Sequence, residues 1–217
     1  MTVTASELSN LPTRHGDFRL QVFTDATGAE HMALAIGVLG DDCLVRIHSE
    51  CATGDILGSL RCDCRDQLES ALDKIADSGH GMLIYLRGHE GRGIGLANKV
   101  RAYALQDKGH DTVEANVKLG FAADQRDYDA AAEILKHYGL KRVKLLTNNR
   151  NKIKALEEAG ITVSEALPLW IATNPYNESY IDTKQKRMGH IPPSDEAPLL
   201  HGGSNEGTEQ RVRIKRF

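Results

Sequence analysis

The 217 residues carry a formal net charge of −3, with 41% hydrophobic and 26% charged side chains. That balance describes a globular chain able to bury a substantial core in one domain. It argues against general nucleic-acid binding, which needs a basic face that the body of the chain lacks, and no stretch approaches the roughly 20 apolar residues of a membrane span.

Met1 to Arg14 is polar, without the apolar segment of a secretory signal, so the chain is expected in the cytoplasm. There the four cysteines, Cys43, Cys51, Cys62 and Cys64, are thiols or metal ligands rather than disulfides. Residues 1–15 read as a flexible leader. Phe18 to Phe23, a turn at Asp25-Ala-Thr-Gly28 and the apolar run Met32 to Leu39 predict a β-hairpin. Leu44 to Ile47 is a short strand leading into His48-Ser-Glu-Cys51. Leu68, Ala71, Leu72, Ile75 and Ala76 share one helical face, stopped by Gly79. Met82 to Leu86 predicts a buried strand, followed by a glycine-rich segment and a helix carrying Leu96, Val100, Tyr103 and Ala104. A further helix is expected from about Asp127 to Tyr138, a strand at Val143 to Leu146, a helix from Asn151 to Ala159, and a strand at Ile161 to Val163. Together these predict an α/β fold, one domain over residues 16–190 with a mixed β-sheet flanked by helices. Residues 191–217 read as a disordered tail ending in the solvated cluster Arg211, Arg213, Lys215 and Arg216.

Cys51, Cys62 and Cys64 lie within fourteen residues and have polar neighbours. Thiolates favour zinc, and three protein ligands with one position open describe a catalytic rather than a structural site. Cys43 reads as a packed apolar residue. His48-Ser-Glu50 also resembles the His-x-Glu of zinc deaminases, but the Pro-Cys-x-x-Cys half is missing. Gly91-Arg-Gly-Ile-Gly95 follows a strand and opens a helix, an arrangement suited to phosphate. Arg87, Arg92, Lys99 and Arg101 could neutralise the phosphates, and Glu90 could hold a hard cation such as Mg2+. The plain alternative is a solvated turn. Asp124 and Arg126 could handle a proton and a phosphate, and Thr147-Asn-Asn149 sits where a strand end meets a helix. Helix capping is the plain alternative for Asp127 and the asparagines.

In order, these segments resemble the GTP cyclohydrolase II family of riboflavin biosynthesis in its stand-alone form. The resemblance rests on Arg46-Ile-His-Ser-Glu-Cys51, Gly54-Asp55, Ser59-Leu-Arg-Cys-Asp-Cys64, Arg87-Gly-His-Glu-Gly-Arg-Gly-Ile-Gly-Leu96, Leu119 to Asp127, Leu145-Leu-Thr-Asn-Asn149, Tyr180 and Lys186 to His190. It implies a homodimer that hydrolyses GTP to a diaminopyrimidinone ribosylamine phosphate, formate and pyrophosphate. One Zn2+ per chain would be held by Cys51, Cys62 and Cys64 and would activate the water that attacks C8, while Mg2+ would accompany the triphosphate. Asp124 matches the family's proposed proton acceptor, Arg126 its proposed nucleophile at the α-phosphate, and Tyr103 a tyrosine of the ring chemistry. Substrate would be held by Arg46, Ile47, His48, Ser49, Glu50, Gln67, Glu90, Gly91, Arg92, Thr112, Thr147 and Lys152. A guanidinium keeps its charge, so Arg126 reads more easily as a stabiliser of phosphate charge. Many family members carry a fused butanone-phosphate synthase domain, for which 217 residues leave no room. Some relatives stop at the ring-opened formamide, and the residues leave both products open. Two rival classes remain, a zinc deaminase and a non-catalytic zinc module.

Overall fold

A computed structural model describes residues 2–188 other than 123, with the side chains of 112, 113, 179 and 185–188 left aside. The expected tail, 191–217, lies outside the described residues. Eight strands form one mixed sheet: β1 (Thr4–Ala5), β2 (Ser9–Thr13), β3 (Gly16–Thr24), β4 (Glu30–Ile36), β5 (Cys43–Ser49), β6 (Gly81–Leu86), β7 (Arg142–Leu146) and β8 (Thr162–Leu167). Their order is β1-β3-β4-β6-β5-β7-β8, with β2 also pairing β3.

The expected hairpin is β3 and β4, antiparallel through Leu20↔Leu34 and Val22↔Met32. The leader is a correction. Thr4–Ala5 and Ser9–Thr13 are strands on β3, because β3 is nine residues long and offers backbone groups that these segments satisfy. Pro12 is tolerated since β2 pairs only with β3 and needs no donor on its outer edge.

The other half of the sheet is parallel. β5 pairs β6 through Ile47↔Ile84 and His48↔Tyr85, and β7 pairs both β5 and β8. The chain leaves β5 for β6 on one side and returns to β7 on the other. Such a reversal opens a crevice at the carboxyl ends of the strands. The helices are α1 (Cys64–Asp77), α2 (Leu96–Gln106), α3 (Thr112–Lys118), α4 (Asp129–His137), α5 (Arg150–Glu158) and α6 (Glu178–Met188). The sequence pattern did not reveal α3 and α6. One has seven residues, and the other, polar through much of its length, lacks a long apolar stripe.

Alternation along the strands gives each face its own core. Val45, Ile47, Met82, Ile84, Val143 and Leu145 pack with Ile134 and Leu135 of α4 and Leu156 of α5. Leu83, Leu146 and Phe18 meet Ala71 and Ile75 of α1 on the other face. Cys43 belongs to the first core and is fully buried there. No helix among the described residues is long and apolar enough to cross a membrane.

Candidate active site

The loops after β5, β6 and β7 meet α1, α2 and α6 around one cleft. After β5 the chain makes a π-helical turn, Ala52–Ile56, which brings Cys51 against the amino end of α1. The sulfurs of Cys51, Cys62 and Cys64 lie within 4.8 Å of one another, and Cys51 Sγ is 3.7 Å from Cys62 Sγ. Metal–sulfur bonds of about 2.3 Å give a tetrahedral edge near 3.8 Å, so the spacing fits a zinc-sized ion. Gly54 makes this approach possible. A Cβ there would stand 2.8 Å from Cys62 Sγ and 3.1 Å from Cys51 Sγ. Among the described residues no fourth His, Cys, Asp or Glu joins the group.

Around the sulfurs the polar groups are tightly arranged. Lys99 Nζ lies 3.0 Å from Cys51 Sγ and 2.5 Å from Glu90 Oε1. Burial opposes the Lys99 charge, but the Cys51 sulfur and Glu90 outweigh it and hold its pKa above the lysine range. Glu90 Oε2 also accepts from the Ala52 amide at 2.6 Å. Both of its oxygens thus have protein partners, which differs from the free cation ligand expected of Glu90. Asp55 accepts from the Cys51 amide (3.0 Å) and the Tyr85 hydroxyl (2.8 Å), and its other oxygen faces His48 Nε2 at 3.1 Å. The carboxylate therefore fixes the proton on Nε2 and leaves His48 Nδ1 as a buried acceptor without a partner among the described residues. Burial, against the pull of Asp55, keeps the His48 imidazole below its usual pKa. Tyr103, on α2, sets its hydroxyl 3.3 Å from Thr53 Oγ1, with the Arg61 guanidinium 4.3 Å over its ring.

The remaining wall is rich in cations. Arg46 donates to the Leu146 carbonyl (2.9 Å) and to Gln67 Oε1 (2.6 Å). Lys152 donates to the Ile47 carbonyl at 2.7 Å. Burial, and then the charges of Arg46, Arg126 and Lys184, push the Lys152 ammonium well below the usual range. Arg92 holds a left-handed backbone (φ 71°), and both its terminal nitrogens are buried, with no hydrogen-bond partner among the described residues, although the Tyr180 hydroxyl is close enough to favour the charge. Its loop is not the open phosphate cradle that the glycines suggested. The N–H groups of Arg92, Gly93 and Gly95 bond to His89 and Glu90 carbonyls, so the loop presents the guanidinium rather than its backbone. Arg126 forms a bidentate pair with Asp124, at 2.9 and 2.6 Å. Burial works against that Arg126 charge, but Asp124 outweighs it and raises the pKa.

Of the residues singled out from sequence, Cys51, Cys62, Cys64, Tyr103, Arg126, Arg46, His48, Ser49, Glu50, Gln67, Glu90, Gly91, Arg92, Thr147 and Lys152 line this cleft. Asp124 stands behind Arg126. The Ile47 side chain is in the core, where only its carbonyl serves the site. The Thr112 side chain lies outside the described residues. Arg87 and Arg101 are exposed and elsewhere. One plain role holds, since Asn149 caps α5 by accepting from the Asn151 amide at 2.9 Å; Asp127 is not the N-cap of α4, which is Tyr128. Sequence reasoning missed Asp55, Asp63, His89, Asn116 and Lys184. Asp63 carried a signal, standing between two cysteines of the candidate metal group. Asn116 belongs to the segment Asp111 to Asn116, which also resembles the family but was given no role, and Lys184 carried no signal; only the packing of α3 and α6 brings them to the cleft.

The family model described as GTP cyclohydrolase II matches residues 4–168. The chain is 55% identical over 194 residues to a "GTP cyclohydrolase-2" of Azotobacter vinelandii, covering 88% of this chain and 93% of that one. It is 54% identical over 186 residues to the "GTP cyclohydrolase-2" of Escherichia coli O9:H4, covering 84% and 94%. To the "Riboflavin biosynthesis protein RibBA" of Salinispora tropica it is 54% identical over 186 residues, covering 84% of this chain but only 46% of that longer protein.

Proposed function

The chain belongs to the GTP cyclohydrolase II family, and on that premise we propose that it hydrolyses GTP in the first step of riboflavin biosynthesis. The imidazole ring opens at C8, formate and pyrophosphate leave, and 2,5-diamino-6-(5-phosphoribosylamino)pyrimidin-4(3H)-one remains. One observation carries the reading: three converging sulfurs share a cleft with cations that lack enough carboxylates. The first feature suits a metal and the second a polyphosphate.

Cys51, Cys62 and Cys64 would hold one zinc ion, which supplies the acidity that makes hydroxide available near neutral pH. The chain's own groups do the rest. Lys99 and Glu90 brace Cys51, and Tyr103 stands beside the sulfurs for the ring chemistry. Arg46, Arg92 and Lys152 receive the phosphates, with Mg2+ arriving on the triphosphate rather than from Glu90. Arg126 stabilises charge at the α-phosphate. Burial raises the Asp124 pKa less than Arg126 lowers it, which makes Asp124 the residue that aims Arg126 and only a weak base while so paired. The same reading includes a cytoplasmic homodimer.

Incubation with GTP, followed by assays for formate, pyrophosphate and ammonia, tests the proposal. Formate and pyrophosphate in equal amounts are expected. Ammonia without pyrophosphate would mark a deaminase, and intact GTP a non-catalytic zinc module.

A further inference from the structure

Helix α6 begins ten residues beyond the span matched by the family model, at Glu178 against Pro168. It nevertheless supplies two walls of the cleft, Tyr180 and Lys184. Ile181 and Thr183 are buried, so the helix is seated on the domain. Lys184 Nζ donates to Asp63 Oδ1 at 2.8 Å and lies 4.4 Å over the Tyr180 ring. Asp63, 2% exposed, also accepts through Oδ2 from Gln67, whose carbonyl oxygen in turn accepts from Arg46. One chain of bonds therefore runs Lys184–Asp63–Gln67–Arg46.

Charge around this chain is unbalanced. Arg46, Arg92, Arg126, Lys152 and Lys184 all face the cleft. Among the described residues, Asp63 pairs with Lys184 and Asp124 with Arg126, while Arg46, Arg92 and Lys152 form no ion pair. An ammonium has three donors, and one of those on Lys184 is engaged with Asp63. Glu50 and Glu90 also line the cleft, but Glu90 is taken up by Lys99 and Glu50 faces Arg87, so buried cations at this density favour an added anion.

We infer that Lys184 is a phosphate-binding residue of this site, delivered by α6 and aimed by Asp63, so that α6 forms part of the substrate site. The inference rests on the triphosphate reading given above. It makes α6 more than a clip holding the end of the domain. Asp63 has a dual position, holding Lys184 and Gln67 while the cysteines on either side of it join the group that would hold the metal.

Calorimetric titration with inorganic triphosphate tests this without turnover. Wild-type protein should bind it, and Lys184→Met should weaken binding about ten- to a hundredfold, the loss of one charge-assisted bond. Lys184→Arg should recover part of that loss, with metal content unchanged throughout. The single Met variant leaves Asp63 buried and unpaired, so Asp63→Asn/Lys184→Met is the companion variant, neutral at both positions. Weak triphosphate binding in the double variant is the expected result. Wild-type affinity in either the single or the double variant would reduce Lys184 to a counter-ion and overturn the inference. A wild-type protein that does not take up triphosphate removes the triphosphate reading itself, and this inference with it.

Discussion

Arg126 grips its neighbour Asp124 with two prongs, Nε on Oδ1 and a terminal nitrogen on Oδ2, and its own amide donates to Oδ1 as well. That geometry favours one of the two chemistries proposed for the guanidinium. A nitrogen attacking phosphorus must give up positive charge, and Asp124 holds that charge in place. A guanidinium held in place by a carboxylate, with its other terminal nitrogen still on offer, suits the proposed role of a preorganised phosphate ligand. Arg126→Lys should cost about 10²–10³ in turnover, because a point charge replaces the fork. Zinc content should not change. Mass spectrometry of enzyme quenched during turnover should find no guanylyl adduct on Arg126; an adduct there would establish the covalent route.

Metal content separates the cysteines. Cys62→Ser should remove most of the zinc and all ring opening, since three ligands leave no redundancy. Cys43→Ser should keep about one zinc per chain, because Cys43 lies in the sheet core away from the cluster. Its cost should appear as stability, about 1–3 kcal/mol for a hydroxyl placed among apolar neighbours. Metal analysis beside a denaturation curve distinguishes the two, and zinc loss in Cys43→Ser would mean that the ligand set is wrong.

Gly54 offers a sharper test of the same site. Its backbone is not left-handed, so alanine there is limited only by contact. The added methyl would press on Cys62 Sγ, Cys64 Cβ and Cys51 Sγ together. Gly54→Ala should therefore lower zinc affinity by tenfold or more while circular dichroism remains that of the wild type. Unchanged affinity in a chelator competition would show that the sulfurs can move apart freely.

Much of this site was legible because its chemistry is local. Cys51, Cys62 and Cys64 come from two segments joined by one turn, and the glycine at position 54 sits in the motif itself. Both the β3–β4 hairpin and the β5–α1–β6 unit follow from apolar period and turn residues. The paired role of Asp124 was harder to read, since an Asp two residues before an Arg can as well cap a helix.

What could not be read depends on packing at a distance. Thr4–Ala5 and Ser9–Thr13 are too short and polar to announce strands, and they become so only because β3 offers an edge. Lys184 reaches Asp63 across 121 residues, and no local pattern encodes that. The glycines after β6 misled in one respect. Their left-handed turns satisfy the loop's own carbonyls and turn Arg92 inward.

His89 provides a pH test of the folded site. Burial, then the charges of Arg126 and Lys152, lower its pKa from 6.5 to about 3, and Ser49 bonds its Nδ1 at 3.1 Å. The unfolded chain therefore binds a proton that the folded chain refuses between those values. Its contribution is complete above about pH 6.5 and is lost as pH falls towards 3, at up to about 1.4 kcal/mol per pH unit. His48 acts in the same direction, so the informative quantity is the difference between wild type and His89→Gln. That variant should lose less stability than wild type between about pH 6 and 4 in denaturant titrations. Parallel curves would mean that His89 is protonated in the folded state.

Tyr103 separates the two halves of the proposed reaction. Its hydroxyl is 3.3 Å from Thr53 Oγ1, beside Cys51, and burial raises its pKa. It therefore stays a neutral donor near the sulfurs, while the cations expected to hold phosphate are other residues. Tyr103→Phe removes only the hydroxyl and keeps the ring that Arg61 covers, so folding and zinc content should be preserved. Formate release should fall by about 10² or more, the range for losing one positioned proton donor. Pyrophosphate release should continue at a measurable rate, since Arg46, Arg92, Arg126 and Lys152 are untouched. Following both products from one GTP incubation gives the answer directly. If formate and pyrophosphate fall by the same factor, Tyr103 acts before the two steps diverge; if neither falls, its hydroxyl takes no part in the chemistry.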